Sequence, residues 1–210
     1  MLPTPRLQLS AGQLLYRPWA KPLAFGLMTL PFASLVWAAF ADQLGANPAE
    51  ALIRSSGDWT LRSLCLVLAL TPLRVWTGVA ALARFRRMVG LFVFFYASLH
   101  GLAYAWFDMG FVWIDVAADL AKRPFILVGF TGLCLLFLLA ISSNQWAITR
   151  MGGKLWKRLH RGVYAIAGLA LLHFFWMRAG KNDFAEVWLY TLVLGVLLGW
   201  RLQNYIKKAR

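Results

Sequence analysis

The sequence predicts an all-α polytopic membrane bundle of six transmembrane helices with both termini cytoplasmic. Three observations predict it. Of the 210 residues, 60% are hydrophobic and 14% are charged, too few charges to cover a soluble domain of this length. The apolar residues fall in runs of about 20, the number needed to cross ~30 Å of hydrocarbon at 1.5 Å per residue. Basic residues concentrate in alternate connections between the runs, and all the acids fall in or beside the others.

The predicted spans run from about Pro22 to Phe40, Trp59 to Trp76, Met88 to Phe107, Pro124 to Ser142, His160 to Met177 and Phe184 to Trp200. They are too long for strands and lack period-two alternation. The first run has no small-residue cleavage site close behind it, so it is expected to be a retained helix. No linker, repeat or soluble domain interrupts the pattern, and residues 1–210 are expected to form a single domain.

Loop charge sets the orientation. The N-terminal tail carries Arg6, Arg17 and Lys21, and the loop after the second run carries Arg74, Arg84, Arg86 and Arg87. Arg150, Lys154, Lys157, Arg158 and Arg161 follow the fourth run, and Arg201, Lys207, Lys208 and Arg210 follow the sixth. These regions hold 16 of the 22 basic residues and none of the eight acids. The other loops carry Asp42, Glu50, Asp58, Asp108, Asp115, Asp119, Asp183 and Glu186. The positive-inside rule then places both termini in the cytoplasm. The stretch from Asp108 to Arg123 reads either as an interfacial helix or as a simple connector.

The net charge of +14 does not indicate nucleic acid, because the bases are divided among short loops rather than gathered on one folded face. Cys65 and Cys134 lie within apolar runs and form no CxxC motif. Most of the 11 tryptophans lie near predicted span ends, as in an interfacial aromatic belt.

The chemistry rests on three histidines, His100, His160 and His173. An ionisable side chain within a membrane span is costly and points to function. His100 lies 12 residues past Met88 and His173 lies 12 past Arg161, so each is roughly 18 Å along a helix running outward. Two imidazoles at one depth on two helices can supply both axial ligands of a haem iron. His160, 13 residues before His173, falls about 20 Å nearer the cytoplasm. On one ideal helix the two side chains would lie about 140° apart.

The bland alternative is a histidine that only hydrogen-bonds a neighbouring helix, and for His160 a plain interfacial residue among Lys157, Arg158 and Arg161. Zinc would need three or four clustered ligands, and the predicted spans contain a single carboxylate, Glu186 at the edge of the sixth. Gly90, Gly101, Gly129, Gly132 and Gly168 would admit a flat macrocycle or a neighbouring helix equally well. Arg84, Arg86, Arg87, Arg158 and Arg161 could pair with propionates or a phosphate, but topology alone also accounts for them.

Several short motifs now align with one family. They are Arg86-Arg87-Met88-Val89-Gly90-Leu91, Ser98-Leu99-His100, Leu139-Ala140-Ile141-Ser142-Ser143, Trp156-Lys157-Arg158-Leu159-His160-Arg161 with Tyr164, and Leu172-His173. In order and spacing the chain resembles the MsrQ (YedZ) family, the haem-binding membrane subunits of the bacterial periplasmic methionine-sulfoxide reductase system. That family belongs to the ferric-reductase-like transmembrane group.

The resemblance implies the bacterial inner membrane, one or two haems b and a role for FMN that it leaves open. It implies a periplasmic molybdopterin-containing catalytic subunit as partner, and quinol or a cytoplasmic flavin reductase as donor. It assigns His100, His160 and His173 to cofactor binding. Larger relatives carry two histidines on each of the third and fifth helices. Here Arg87 and Arg86 stand 13 and 14 residues before His100. His160 is thus left to ligate a haem with an unusual partner or to help a flavin site. The sequence contains no flavin or nicotinamide domain after the last run, so electrons are expected from another molecule. A self-contained transmembrane ferric reductase and a cofactor-free transport or structural protein are the alternatives from other classes.

Overall fold

The computed structural model describes residues 11–180 and 182–209. Arg6 and Arg210, two of the charges that set the orientation, lie outside the described residues. The described residues form α-helices joined by short connections, with no strand among them.

A short helix α1 (Ala11–Tyr16) leads into α2 (Ala20–Phe40). Helix α3 (Pro48–Thr77) is followed by a 3₁₀ turn (Ala80–Phe85) and α4 (Arg86–Phe107). The short α5 (Trp113–Lys122) leads into α6 (Pro124–Ile141). Then come α7 (Gln145–His160), α8 (Val163–Ala179) and α9 (Ala185–Ala209).

Among the described residues, five helical stretches are long and apolar enough to cross a membrane: Ala20–Phe40, Ala80–Phe107, Pro124–Ile141, Gln145–Ala179 and Ala185–Lys207. The second predicted run lies within α3, which is not among them. It starts 11 residues earlier than expected and has 30 residues, including Glu50, Arg54, Asp58, Arg62 and Arg74. Its start is set by a local cap. Asn47 accepts a hydrogen bond from the Glu50 amide at 3.2 Å, and Pro48, which has no amide to leave unpaired, takes the first helical position.

Helices α3, α4, α6, α8 and α9 share one core. Leu64 and Leu68 meet Val93 and Ala97, Leu136, Ile166 and Ala167, and Leu194. The most extensive pairings are α3 with α4 and α6 with α8. Helix α2 sits at the edge, tied to α4 where the Tyr96 hydroxyl donates to the Met28 carbonyl at 2.6 Å. Large apolar side chains such as Leu27, Trp37, Phe40 and Leu192 face outward. That apolar surface fits hydrocarbon as its solvent.

Two further boundaries differ from the expectation. His160 is the last residue of α7 rather than the first of the fifth span. A turn at Arg161 and Gly162, with the Gly162 amide donating to the Leu159 carbonyl at 2.8 Å, separates it from α8. Helix α7 is itself broken at Gly152, whose φ of 75° is left-handed and suits a residue without Cβ. The sixth run continues as helix through Arg201 and Lys207, where a tail was expected. The Asp108–Arg123 segment contains a true helix, α5, entered through left-handed Gly110 and Phe111.

Candidate cofactor site

His100 on α4 and His173 on α8 meet inside the bundle, their ring centres 6.1 Å apart and their planes at 79°. Nδ1 of His100 lies 2.8 Å from the Ile53 carbonyl on α3. Nδ1 of His173 lies 2.7 Å from the Phe125 carbonyl on α6. A carbonyl can only accept, so each Nδ1 carries the proton. In a neutral ring, Nε2 then keeps its lone pair.

Glycines complete both seats. A Cβ on Gly57 would sit 3.1 Å from Nδ1 and Cε1 of His100. A Cβ on Gly129 would sit 2.8 Å from Nδ1 of His173 and 2.9 Å from its Cε1. Any larger residue would displace the imidazole. Gly129 was among the glycines noted in the sequence. Gly57 was not, and its only signal is its position four residues after Ile53. Of the other noted glycines, Gly101 meets Leu133, Gly90 makes ordinary contact with Val67, and added Cβ atoms on Gly132 and Gly168 would meet nothing within 4 Å.

Both imidazoles line a cavity of about 880 Å³, toward the upper end of the ~300–1,000 Å³ typical of cofactor sites. Its walls are mostly apolar, including Leu64, Val93, Leu133, Ile166 and Phe174. Arg54, Asp58, Asp108, Arg123 and Arg178 line it as well. All five come from loops or span ends assigned to the outer side. The inner-side bases Arg84, Arg86, Arg87, Arg158 and Arg161, weighed earlier as propionate partners, do not line this cavity. The histidines lie nearer the span ends that adjoin the acid-bearing loops, so arginines of those ends reach the space around them instead.

The residues present fit haem. Two metal–nitrogen bonds of about 2 Å each, plus roughly 1 Å from each nitrogen to its ring centre, span about 6 Å. The observed separation is 6.1 Å. The cavity is apolar where a macrocycle would lie, and it includes cationic side chains for carboxylates. Among the described residues, no group of three or more His, Cys, Asp or Glu gathers as a metal site.

The outer wall is braced by ion pairs. The guanidinium of Arg178 is mostly buried and donates to Asp183 at 2.8 Å and to Glu186, while its Nε is buried without a partner. Asp119 of α5 accepts from Arg123, with Nε donating at 2.6 Å, and from the Tyr104 hydroxyl. Hydrogen bonding to Arg123, helped by Tyr104, holds the Asp119 carboxyl below its ordinary value of 3.8.

A depressed carboxylate stabilises the folded form above its ordinary pKa, and that contribution fades as pH falls through the folded value. Acidification below about pH 4 is therefore expected to loosen α5, read as faster amide exchange in residues 113–122. Asp119→Asn should show the looser state at neutral pH. Equal exchange in variant and wild type at neutral pH would rule out the clasp.

His160 does not join this cavity. It lies beside Trp156, ring centres 4.0 Å apart and edge to face, and its Nε2 is buried without a hydrogen-bond partner. Trp156 is fixed by donating to the Ser142 carbonyl at 2.9 Å. Because His160 and His173 lie on different helices, the 140° wheel separation does not constrain them. The sequence reading thus named all three histidines, and the structure brings two together and leaves the third apart.

Residues 56–172 match the model of the ferric reductase like transmembrane component. The match includes His100 and His160 and stops one residue before His173. The chain is 62% identical over 196 residues to the protein-methionine-sulfoxide reductase heme-binding subunit MsrQ of Polaromonas naphthalenivorans, covering 93% of this chain and 90% of that one. The chain belongs to the MsrQ family. MsrQ of Bordetella pertussis is 53% identical, covering 90% of this chain and 91% of the relative. MsrQ of Xanthomonas campestris pv. campestris (strain B100) is 46% identical, with coverages of 91% and 89%. No solved structure matches significantly. MsrQ membership accounts for the apolar helices, since the matched domain is a transmembrane one.

Proposed function

We propose that this MsrQ-family chain is a six-span subunit of the bacterial inner membrane that binds haem b between His100 and His173. It passes electrons outward to a periplasmic molybdopterin methionine-sulfoxide reductase, supporting repair of oxidised proteins. The observation that carries the reading is the tethered imidazole pair, 6.1 Å apart in an apolar cavity. The names of the relatives supply the haem and the reductase. The sixth crossing is α3, whose apolar core residues Leu61, Leu64 and Leu68 pack among the other helices. Charge segregation supports cytoplasmic termini.

Each part of the site has a task. His100 and His173 would hold the haem iron through their unprotonated Nε2 atoms, and the Ile53 and Phe125 carbonyls fix the tautomers. Gly57 and Gly129 leave room for the rings. The apolar walls exclude water, and Arg54, Arg123 and Arg178 offset carboxylate charge at the outer end. Haem, when bound, supplies a one-electron carrier within a bilayer that blocks charge. His160, with its unpartnered buried Nε2, marks the inner receiving site, for a second haem or for FMN. Quinol or a cytoplasmic flavin reductase is the donor class.

The test is a reduced-minus-oxidised spectrum of purified protein with haem quantitation, followed by reduction with a quinol or with a flavin reductase plus nicotinamide. At least one low-spin haem b per chain is expected, reduced by one donor and reoxidised by the catalytic subunit. Protein purified under haem-sufficient conditions without a Soret band would refute the reading. Rapid turnover of iron chelates without a partner would favour a self-contained reductase.

A further inference from the structure

The two histidine seats are built alike. In each, a backbone carbonyl accepts from Nδ1, and a glycine four residues further along the same helix faces the ring. The pairs are Ile53 with Gly57 on α3, and Phe125 with Gly129 on α6. Four residues are about one helical turn, so carbonyl and glycine share one helix face. A carbonyl in a helix points toward the amide of the residue four positions on. Each imidazole is therefore held by the edge and covered along the same turn.

A ligated imidazole is otherwise free to rotate about its metal–nitrogen bond, and the hydrogen bond at its other nitrogen fixes the angle. Each seat fixes its ring relative to its own helix. The two helices differ, and the planes cross at 79°.

We infer that Gly57 and Gly129, with the carbonyls of Ile53 and Phe125, are positioning residues that hold the two axial imidazole planes nearly perpendicular and so set the electronic state of the iron. The inference rests on the haem reading above. With crossed planes, each ring's π orbital meets a different member of the iron's dxz and dyz pair. The pair stays nearly degenerate. A ferric haem so ligated gives a highly anisotropic low-spin electron paramagnetic resonance signal, dominated by one large-g feature. Parallel planes split the pair and give a three-line rhombic spectrum.

The experiment compares ferric spectra and midpoint potentials of purified wild type, Gly57→Ala, Gly129→Ala and Gly90→Ala. Gly90→Ala is the control on α4 itself, because its Cβ would meet Val67 at 3.8 Å and Gly90 does not line the cavity. The wild type is expected to show the large-g signal. Gly57→Ala should shift it toward the rhombic form and move the potential, Gly129→Ala should do so more strongly or lose that haem, and Gly90→Ala should keep the wild-type signal. A rhombic wild-type spectrum overturns the inference while leaving haem binding intact. So does a Gly57→Ala protein with an unchanged spectrum, or a Gly90→Ala protein that shifts as far as Gly57→Ala. If Gly129→Ala does not fold, Gly57→Ala, with the milder 3.1 Å approach, decides the matter. Wild type without haem overturns both this inference and the reading beneath it.

Discussion

His100→Ala and His173→Ala should each remove the same haem. The two rings face one another at 6.1 Å across one cavity, so neither Nε2 is expected to hold a low-spin iron alone. Losing one axial ligand leaves a five-coordinate, high-spin centre or an empty site. Either outcome should abolish the low-spin signal from that haem and stop transmembrane electron flow through it. Haem quantitation and the ferric spectrum of each variant check this. His160→Ala should retain the haem between His100 and His173, since His160 does not line that cavity, and should instead impair electron entry or lose a second chromophore. Full low-spin haem in both His100→Ala and His173→Ala would show that the pair is not the ligand set. Retention in only one would show that the iron has another axial partner.

Arg178→Met should destabilise the outer end of the bundle and lower the affinity for haem. Arg178 joins the end of α8 to the start of α9 through Asp183 and Glu186, and its own side chain is only 13% exposed. Removing it leaves two carboxylates without their cation beside a cavity that also contains Asp58. A hydrogen bond to a charged group contributes about 1.5–3 kcal/mol when well shielded. Asp183 and Glu186 are half exposed, so solvent screening reduces the loss to about 1–2 kcal/mol. The potential of any haem in the cavity should also fall, because a lost positive charge disfavours the added electron. Denaturant titration in detergent measures the first effect and redox titration the second. Arg178→Lys should restore part of the charge effect but less of the stability, since an ammonium cannot reproduce the guanidinium geometry. Unchanged stability and potential in Arg178→Met would rule out both roles.

Much of this arrangement could be read from the chain. Apolar run length predicted the helices, because crossing hydrocarbon demands a continuous internally bonded segment. His100 and His173 were matched by depth, because a helix rises by a constant 1.5 Å per residue. The Asn47-Pro48 cap is a local start signal for α3, but hydrophobicity alone places the start at Trp59, because the first turns of α3 carry Glu50, Arg54 and Asp58. The break at Gly162 was harder to foresee. The Trp156–Tyr164 stretch looks like one helix start, and one turn of backbone decides that His160 ends α7.

By itself, then, the sequence determined that the chain is helical and membrane-bound, which of its loops are basic, and where its three histidines fall along the apolar runs. These follow from local composition and fixed helical geometry. Only the tertiary structure decided that His100 and His173 face each other and His160 stands apart. It also decided that Gly57 and two backbone carbonyls seat the rings, and that Arg54, Arg123 and Arg178, rather than the inner arginines, share their cavity. Those facts depend on how α3 and α6 pack against α4 and α8. Backbone carbonyls have no residue signature, and a glycine matters only once a neighbouring helix places an imidazole against it.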